Sequence, residues 1–365
     1  MRFLTGGRAQ NARALNPVRL HLVSTALCLI FVIGWIAPAP TAAATARGNA
    51  PSDTVNLPGD AFFPESIAAP PVGTPFLPAG TLFVSSIVTG EIVRIPPGAE
   101  VPETFVPAGG DRTYAGILVD LPRRVLWGCA VDVPAFQQPT VLRAFDLVSG
   151  ILVAEYPLPD RGVCADITLA RGDVYVTDTS VPFVTDPADP PSPGRILRLR
   201  TSSIFAPAPG ELTVWSDDPA LTGPNPGLQV NGIASDGFNI YASNYGTGEL
   251  LRVRIRANGT SAAAERFRLE TPFSFPDGIR LLAPSRLLVT ENVGRLSLVD
   301  VSDLDVEAAD RVVLSDTVDQ PSSVVRAGLR LWIAEGQILR LQSGEQPHLP
   351  FKVRRLPIPW HLLDE

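Results

Sequence analysis

Phe275-Pro276-Asp277-Gly278-Ile279-Arg280 is one of six related phrases, and its relation to the other five decides the fold. Val230-Asn231-Gly232-Ile233 and Pro64-Glu65-Ser66-Ile67 share its build: a polar side chain, a small residue, isoleucine, then an apolar stretch. The same build opens with a small residue at Ala115 (Ala-Gly-Ile-Leu), Ala165 (Ala-Asp-Ile-Thr) and Ser322 (Ser-Ser-Val-Val). Taking Glu65, Ala115, Ala165, Asn231, Asp277 and Ser322 as equivalent gives spacings of 50, 50, 66, 46 and 45 residues. Those are blade-sized repeats with one enlarged member.

Each opening is followed by a second apolar strand: Thr81–Val84, Val125–Trp127, Asp173–Val176, Asn239–Ala242, Arg286–Val289 and Leu329–Ile333. A polar turn and a third strand come next, as in Thr89-Gly90-Glu91-Ile92-Val93-Arg94 and Thr247-Gly248-Glu249-Leu250-Leu251-Arg252. Third strands are likewise expected at Gly194–Leu199, Gly294–Leu298 and Gly336–Leu341. These segments are rich in β-branched and aromatic residues, are bounded by Gly, Pro, Asn or Asp, and show no sustained helical period. A blade cannot bury both faces alone, so the repeat predicts an all-β, six-bladed β-propeller of four-stranded antiparallel blades around a central channel. Two Pro-rich stretches, 181–194 and 203–226, account for the long third repeat. The propeller is assigned to residues 60–345, and ring closure to a strand from residues 47–59 or from the C-terminal segment 346–365.

The N-terminus reads differently. Four arginines (Arg2, Arg8, Arg13, Arg19) precede an apolar run, Leu22–Ile36, and then Ala42-Ala43-Ala44-Thr45-Ala46. That order is an export signal over residues 1–46, and the run falls short of the roughly 20 residues that span a bilayer. The alternative is an uncleaved membrane anchor. The expected location is periplasmic or secreted. Loss of this segment takes the net charge from −7 to −11 (−7 − 4), with a single lysine, Lys352. Such a chain is not a nucleic-acid binder. Cys129 and Cys164 remain, in adjacent repeats, either as a disulfide or as two buried thiols.

Glu65, Asn231 and Asp277 fall at one position of the repeat and bring oxygen donors to one point of the channel. Two carboxylates and an amide suit a hard divalent cation, Ca2+ first and Mg2+ or Mn2+ as alternatives. Asp166 is expected beside them, orienting a ligand or water, and Arg112 and Tyr114 at the channel mouth, contacting substrate. Thr177-Asp178, Ser243-Asn244 and Glu291-Asn292 follow second strands and are expected to bond within their turns.

From Phe-Pro-Glu65-Ser-Ile-Ala, Val-Asn231-Gly-Ile-Ala and Phe-Pro-Asp277-Gly-Ile-Arg, over residues 60 to 342, the chain resembles the senescence-marker-protein/gluconolactonase family of six-bladed propellers. The resemblance implies that Glu65, Asn231 and Asp277 bind one divalent metal at the channel mouth. It further implies metal-assisted hydrolysis of a lactone or ester, with Asp277 as general base. Two departures stand out: Ala165 replaces an Asn that reaches the metal-bound water or substrate, and Val163 replaces an Arg that contacts substrate hydroxyls. Both point to a less hydroxylated small-molecule substrate than a sugar lactone. The histidine-dependent chemistry of the related paraoxonases has no counterpart, since His21 lies in the leader and His348 and His361 lie beyond the last repeat. The competing reading is a non-catalytic propeller whose metal is structural and whose loops bind a ligand or protein.

Overall fold

The structure, a computed structural model, describes residues 53–133, 138, 140–160, 162–179, 193–201, 210–222, 229–307, 310–359 and 362. The leader expected over residues 1–46 lies outside them, as does most of the two Pro-rich stretches of the third repeat. Among the described residues no helix is long and apolar enough to cross a membrane.

Six four-stranded antiparallel sheets form a ring. Their inner strands are Pro64–Ala68, Thr113–Asp120, Val163–Ala170, Val230–Ser235, Pro276–Ala283 and Pro321–Ala327. In each blade the chain runs outward from the inner strand. The sixth blade closes the ring with strands from both ends of the described chain: Lys352–Pro357 is its third strand and Asp53–Asn56 its outermost.

This closure corrects one sequence expectation. Gly336–Leu341 is not the third strand of blade six; Ile338–Ser343 forms a short helix, α1, between left-handed residues Gln337 and Gly344. The chain then returns as Lys352–Pro357. Lys-Val-Arg-Arg-Leu-Pro puts Val353 and Leu356 on opposite faces of the strand, each buried in a different core cluster.

The repeated phrase is a β-bulge. In blade one Pro64 pairs with Ser86 and Ile67 with Val84, so that Glu65 and Ser66 together oppose Ser85. The same two-against-one register recurs at Ala115-Gly116, Ala165-Asp166, Asn231-Gly232 and Asp277-Gly278. Bulges bend a strand and re-aim side chains. Each of these turns the first residue of the phrase toward the ring axis.

In five of the six blades the residue opposing the bulge ties its blade to the next. Ser85 Oγ accepts from the Ser66 N–H at 3.1 Å and donates to the Ala115 carbonyl at 2.9 Å. Thr177 accepts from the Asp166 N–H and reaches the Asn231 carbonyl. Ser243 accepts from the Gly232 N–H and donates to the Asp277 carbonyl at 3.2 Å, and the Thr290 hydroxyl lies 3.1 Å from the Ser322 carbonyl. In blade two the opposing residue is Cys129, and the tie is covalent, a disulfide to Cys164 of blade three. Ser322 Oγ, donating to the Pro64 carbonyl at 2.9 Å, joins blade six to blade one. The inner strands approach closely here: a Cβ on Gly232 would lie 2.1 Å from the Asp277 carbonyl oxygen.

These ties differ in strength in a measurable way. A buried neutral hydrogen bond contributes about 1 kcal/mol net, whereas a disulfide closing a loop of 35 residues' separation removes roughly 3–4 kcal/mol of unfolded-state entropy. In urea unfolding, Ser243→Ala is expected to lose about 1–2 kcal/mol and the Cys129→Ser/Cys164→Ser pair about 2–4 kcal/mol. Equal losses would show that the covalent tie adds nothing to the ring.

Candidate functional site

The bulges deliver Glu65, Asn231 and Asp277 to one small cavity, which Asp166, Ser66 and Ser323 also line. It has room for about one water-sized particle. Asn231, Asp166 and Asp277 are buried, and Glu65 keeps partial exposure.

Asp277 is held at both oxygens. Asn231 Nδ2 donates to its Oδ1 at 3.2 Å, and Asn292 Nδ2 donates to its Oδ2 at 3.0 Å and to the Pro321 carbonyl at 2.9 Å. Asn292 is itself oriented by Tyr245, whose hydroxyl donates to Asn292 Oδ1 at 2.7 Å. Asn292 therefore does not bond within its own turn, as expected from sequence, but across to the site. Asn244 does behave as a turn residue, accepting from the Gly246 and Thr247 amides. The register explains the difference: Val230 pairs with Asn244 and Pro276 with Glu291, so Asn292 lies one residue beyond the position of Asn244.

Asp166 is committed. Arg280 binds it through two contacts of 2.6 and 2.9 Å, and the Ile167 and Ile233 amides donate to its two oxygens at 2.9 and 3.1 Å. It anchors Arg280 and the fourth blade. Arg280 was not singled out from the sequence, although it is the one charged residue at the fourth position of any of the six phrases.

Arg112 and Tyr114 stand away from the cavity. Tyr114 is buried between blades one and two, edge-on to Phe145 at 5.6 Å, and its hydroxyl accepts from Arg143 Nη1 at 2.9 Å. It precedes the bulge of blade two, so its side chain points into the inter-blade core rather than at the mouth. Arg112 donates to the Asp111 carbonyl and to Gln138.

Three acids and one guanidinium share this space, a net −2 (−3 + 1) when all are ionised. Among the described residues none donates a hydrogen bond to the Glu65 carboxylate. Burial pushes the Glu65 pKa well up, and the Asp277 and Asp166 charges add to it against Arg280. Burial likewise raises Asp277 to about 7, helped by Asp166 and opposed by the Asn292 and Asn231 hydrogen bonds and by Arg280. Among the described residues, no three His, Cys, Asp or Glu side chains are grouped to hold a metal by themselves. The donor set that the bulges assemble is two acids and an amide. An unpartnered carboxylate and a carboxyl whose ionisation is opposed mainly by burial fit a divalent cation, which neutralises the excess negative charge.

No protein-family model matches this sequence, and no curated protein matches it. Solved structures do. A gluconolactonase from Xanthomonas campestris is 20% identical, over 82% of this chain and 87% of that one, with a TM-score of 0.55. A structural-genomics protein provisionally named a gluconolactonase is 13% identical over 86% and 97%, with a TM-score of 0.58. The PQQ-bound aldose sugar dehydrogenase of Streptomyces coelicolor is 17% identical over 84% and 99%, with a TM-score of 0.52. At these identities the likeness establishes the shared propeller fold, which is also the fold of the family that the sequence resembles.

The charge deficit has a pH signature. Because the folded pKa of Asp277 is about 7 against an ordinary 3.8, the folded protein binds that proton more tightly than the unfolded chain. The resulting stability is complete below the ordinary value and is lost as pH rises through about 7. Carboxylates with depressed pKa, such as Asp236, lose their contribution only at lower pH. In chelator the melting temperature is therefore expected to fall between about pH 5 and pH 8, and Asp277→Asn to flatten the fall. Saturating Ca2+ should raise the melting temperature more at the upper pH than at the lower. A calcium shift independent of pH would mean that these carboxyls do not bind it.

Proposed function

We propose that the protein is an exported, divalent-metal-dependent hydrolase of lactones or related esters. The observation that carries this reading is the meeting of Glu65, Asn231 and Asp277 at one cavity whose charges are not balanced from within. The fold shared with a gluconolactonase supports it, as does the Cys129–Cys164 disulfide, since disulfides persist in oxidising compartments.

Glu65 and Asp277 would hold the cation through carboxylate oxygens and Asn231 through its amide oxygen. All-oxygen ligands with no histidine or thiolate favour Ca2+, with Mg2+ or Mn2+ next. When bound, such a cation supplies positive charge beside a substrate carbonyl and acidifies water in its coordination sphere. Asp277 accepts the proton from the water that attacks the carbonyl. Asn292 and Asn231, each bonded to one of its oxygens, fix the plane of the carboxyl for that transfer. Asp166 is an anchor in this scheme: its bonds to Arg280 and two amides leave it holding the cavity wall rather than carrying protons. By the resemblance, Val163 and Ala165 replace the polar residues that would meet sugar hydroxyls, which favours a sparsely hydroxylated substrate.

The test is hydrolysis of a panel of small lactones and aryl esters, before and after chelation, with Ca2+ or Mn2+ restored. Turnover should vanish with chelator and return with metal, and Asp277→Asn should lose at least about a hundredfold in kcat/KM. Turnover indifferent to chelation would overturn the metal role. Absence of turnover with a metal that still raises the melting temperature would leave a metal-stabilised binding propeller.

A further inference from the structure

Ser323 lines the same cavity, is 3% exposed, and among the described residues its hydroxyl has no hydrogen-bond partner. A buried polar atom left unpaired costs about 1–3 kcal/mol, and native proteins pair the large majority of such atoms. The neighbouring hydroxyls are all accounted for: Ser322 Oγ donates to the Pro64 carbonyl, and Ser66 Oγ accepts from the Ile117 amide at 3.1 Å.

Ser323 occupies the second position of its repeat phrase, where the six residues are Ser66, Gly116, Asp166, Gly232, Gly278 and Ser323. Three of these carry a side chain. Ser66 and Asp166 each use it to accept the isoleucine amide of the next blade, Ile117 and Ile233, both at 3.1 Å. Ser323 makes no such bond. Its Oγ lies instead against the inner strand of blade five, 3.2 Å from where a Cβ on Gly278 would stand, beside Asp277. Ser323 and Glu65 both line the cavity, which admits about one water-sized particle.

We propose that Ser323 Oγ is a fourth protein oxygen donor to the cation held by Glu65, Asn231 and Asp277, an assignment that rests on the metal reading above. The charge around it selects a cation: three acids against one guanidinium repel a substrate oxyanion and attract positive charge. A serine hydroxyl offers lone pairs without adding to that negative charge. It therefore completes a hard-oxygen set that has two carboxylates already.

Three variants, Ser323→Ala, Ser323→Cys and Ser322→Ala, test this through cation binding by titration calorimetry and melting in chelator. Ser323→Ala should melt in chelator at or above the wild-type temperature, because it removes an unpaired hydroxyl. Its affinity for Ca2+ should fall roughly tenfold or more. Ser323→Cys, which replaces a hard oxygen by soft sulfur, should lose Ca2+ affinity while gaining Cd2+ affinity relative to wild type. Ser322→Ala should do the opposite of Ser323→Ala in chelator and melt lower, having lost its bond to Pro64. Wild-type Ca2+ affinity in Ser323→Ala, or an unchanged Cd2+ to Ca2+ preference in Ser323→Cys, would overturn the role of Ser323 while leaving the metal site standing. Failure of the wild-type protein to bind any divalent cation would overturn both.

Discussion

The ring depends on one contact, repeated: a bulged inner strand braced by the residue opposite it, which also reaches the inner strand of the next blade. The bulge leaves an amide that the regular ladder cannot satisfy, and Ser85, Thr177 and Ser243 each satisfy one. Ser85, Thr177, Ser243 and Thr290 also reach a carbonyl in the neighbouring blade. Local irregularity and inter-blade cohesion thus have a common origin. Blade two shows that the position matters more than the chemistry, because there a cysteine replaces the hydroxyl and the link becomes a disulfide. Any displacement of these ties would move the carbonyl of Asn231 or Asp277, and with it the side chain that the site uses.

The same bulges create the electrostatic problem of the site. Aiming the first residue of each phrase at the ring axis converges Glu65, Asn231 and Asp277, while Asp166 enters from the second position of the third. Arg280 compensates one charge only, and it does so at Asp166, through two parallel contacts of the kind that guanidinium and carboxylate planes favour. The remaining acids must hold protons or a cation. The raised pKa of Asp277 and the unpartnered Glu65 carboxylate express that unbalanced charge, which is the physical basis for reading the cavity as a cation site.

The fold and the converging trio were legible because the bulge phrase is local. Four consecutive residues carry it, and six copies in register reveal where they meet. What escaped the sequence lies on contacts between blades. Asp166 and Arg280 are 114 residues apart, yet each is the only charged residue at its position across the six phrases. An unmatched acid in one phrase and an unmatched base in another were a usable signal of pairing. Asn292 was misplaced because it sits next to a second-strand end, like Asn244, but one residue further along. Tyr114 precedes its bulge, and strand alternation sends it between blades. The third strand of blade six was misassigned because Gly336-Gln337-Ile338-Leu339-Arg340-Leu341 copies the Gly-x-Ile-Leu-Arg-Leu of blade three, Gly194–Leu199. Ring closure recruits Lys352–Pro357 instead, a choice that no single repeat encodes.

That diversion has a consequence for the site. Antiparallel pairing puts the ends of the second strands at the same end of the ring as the bulges, so α1, which follows Glu335, belongs to the mouth. The Tyr245 hydroxyl orients Asn292 and, through it, Asp277. Tyr245 also packs against Phe275 at 5.4 Å, and Phe275 remains exposed. Phe275, just before the bulge of blade five, therefore offers apolar surface, whereas Val163 packs against the inter-blade core. Under the proposed lactonase reading, such surface favours an alkyl lactone or aryl ester over a hydrated sugar, which would have to shed water to meet it.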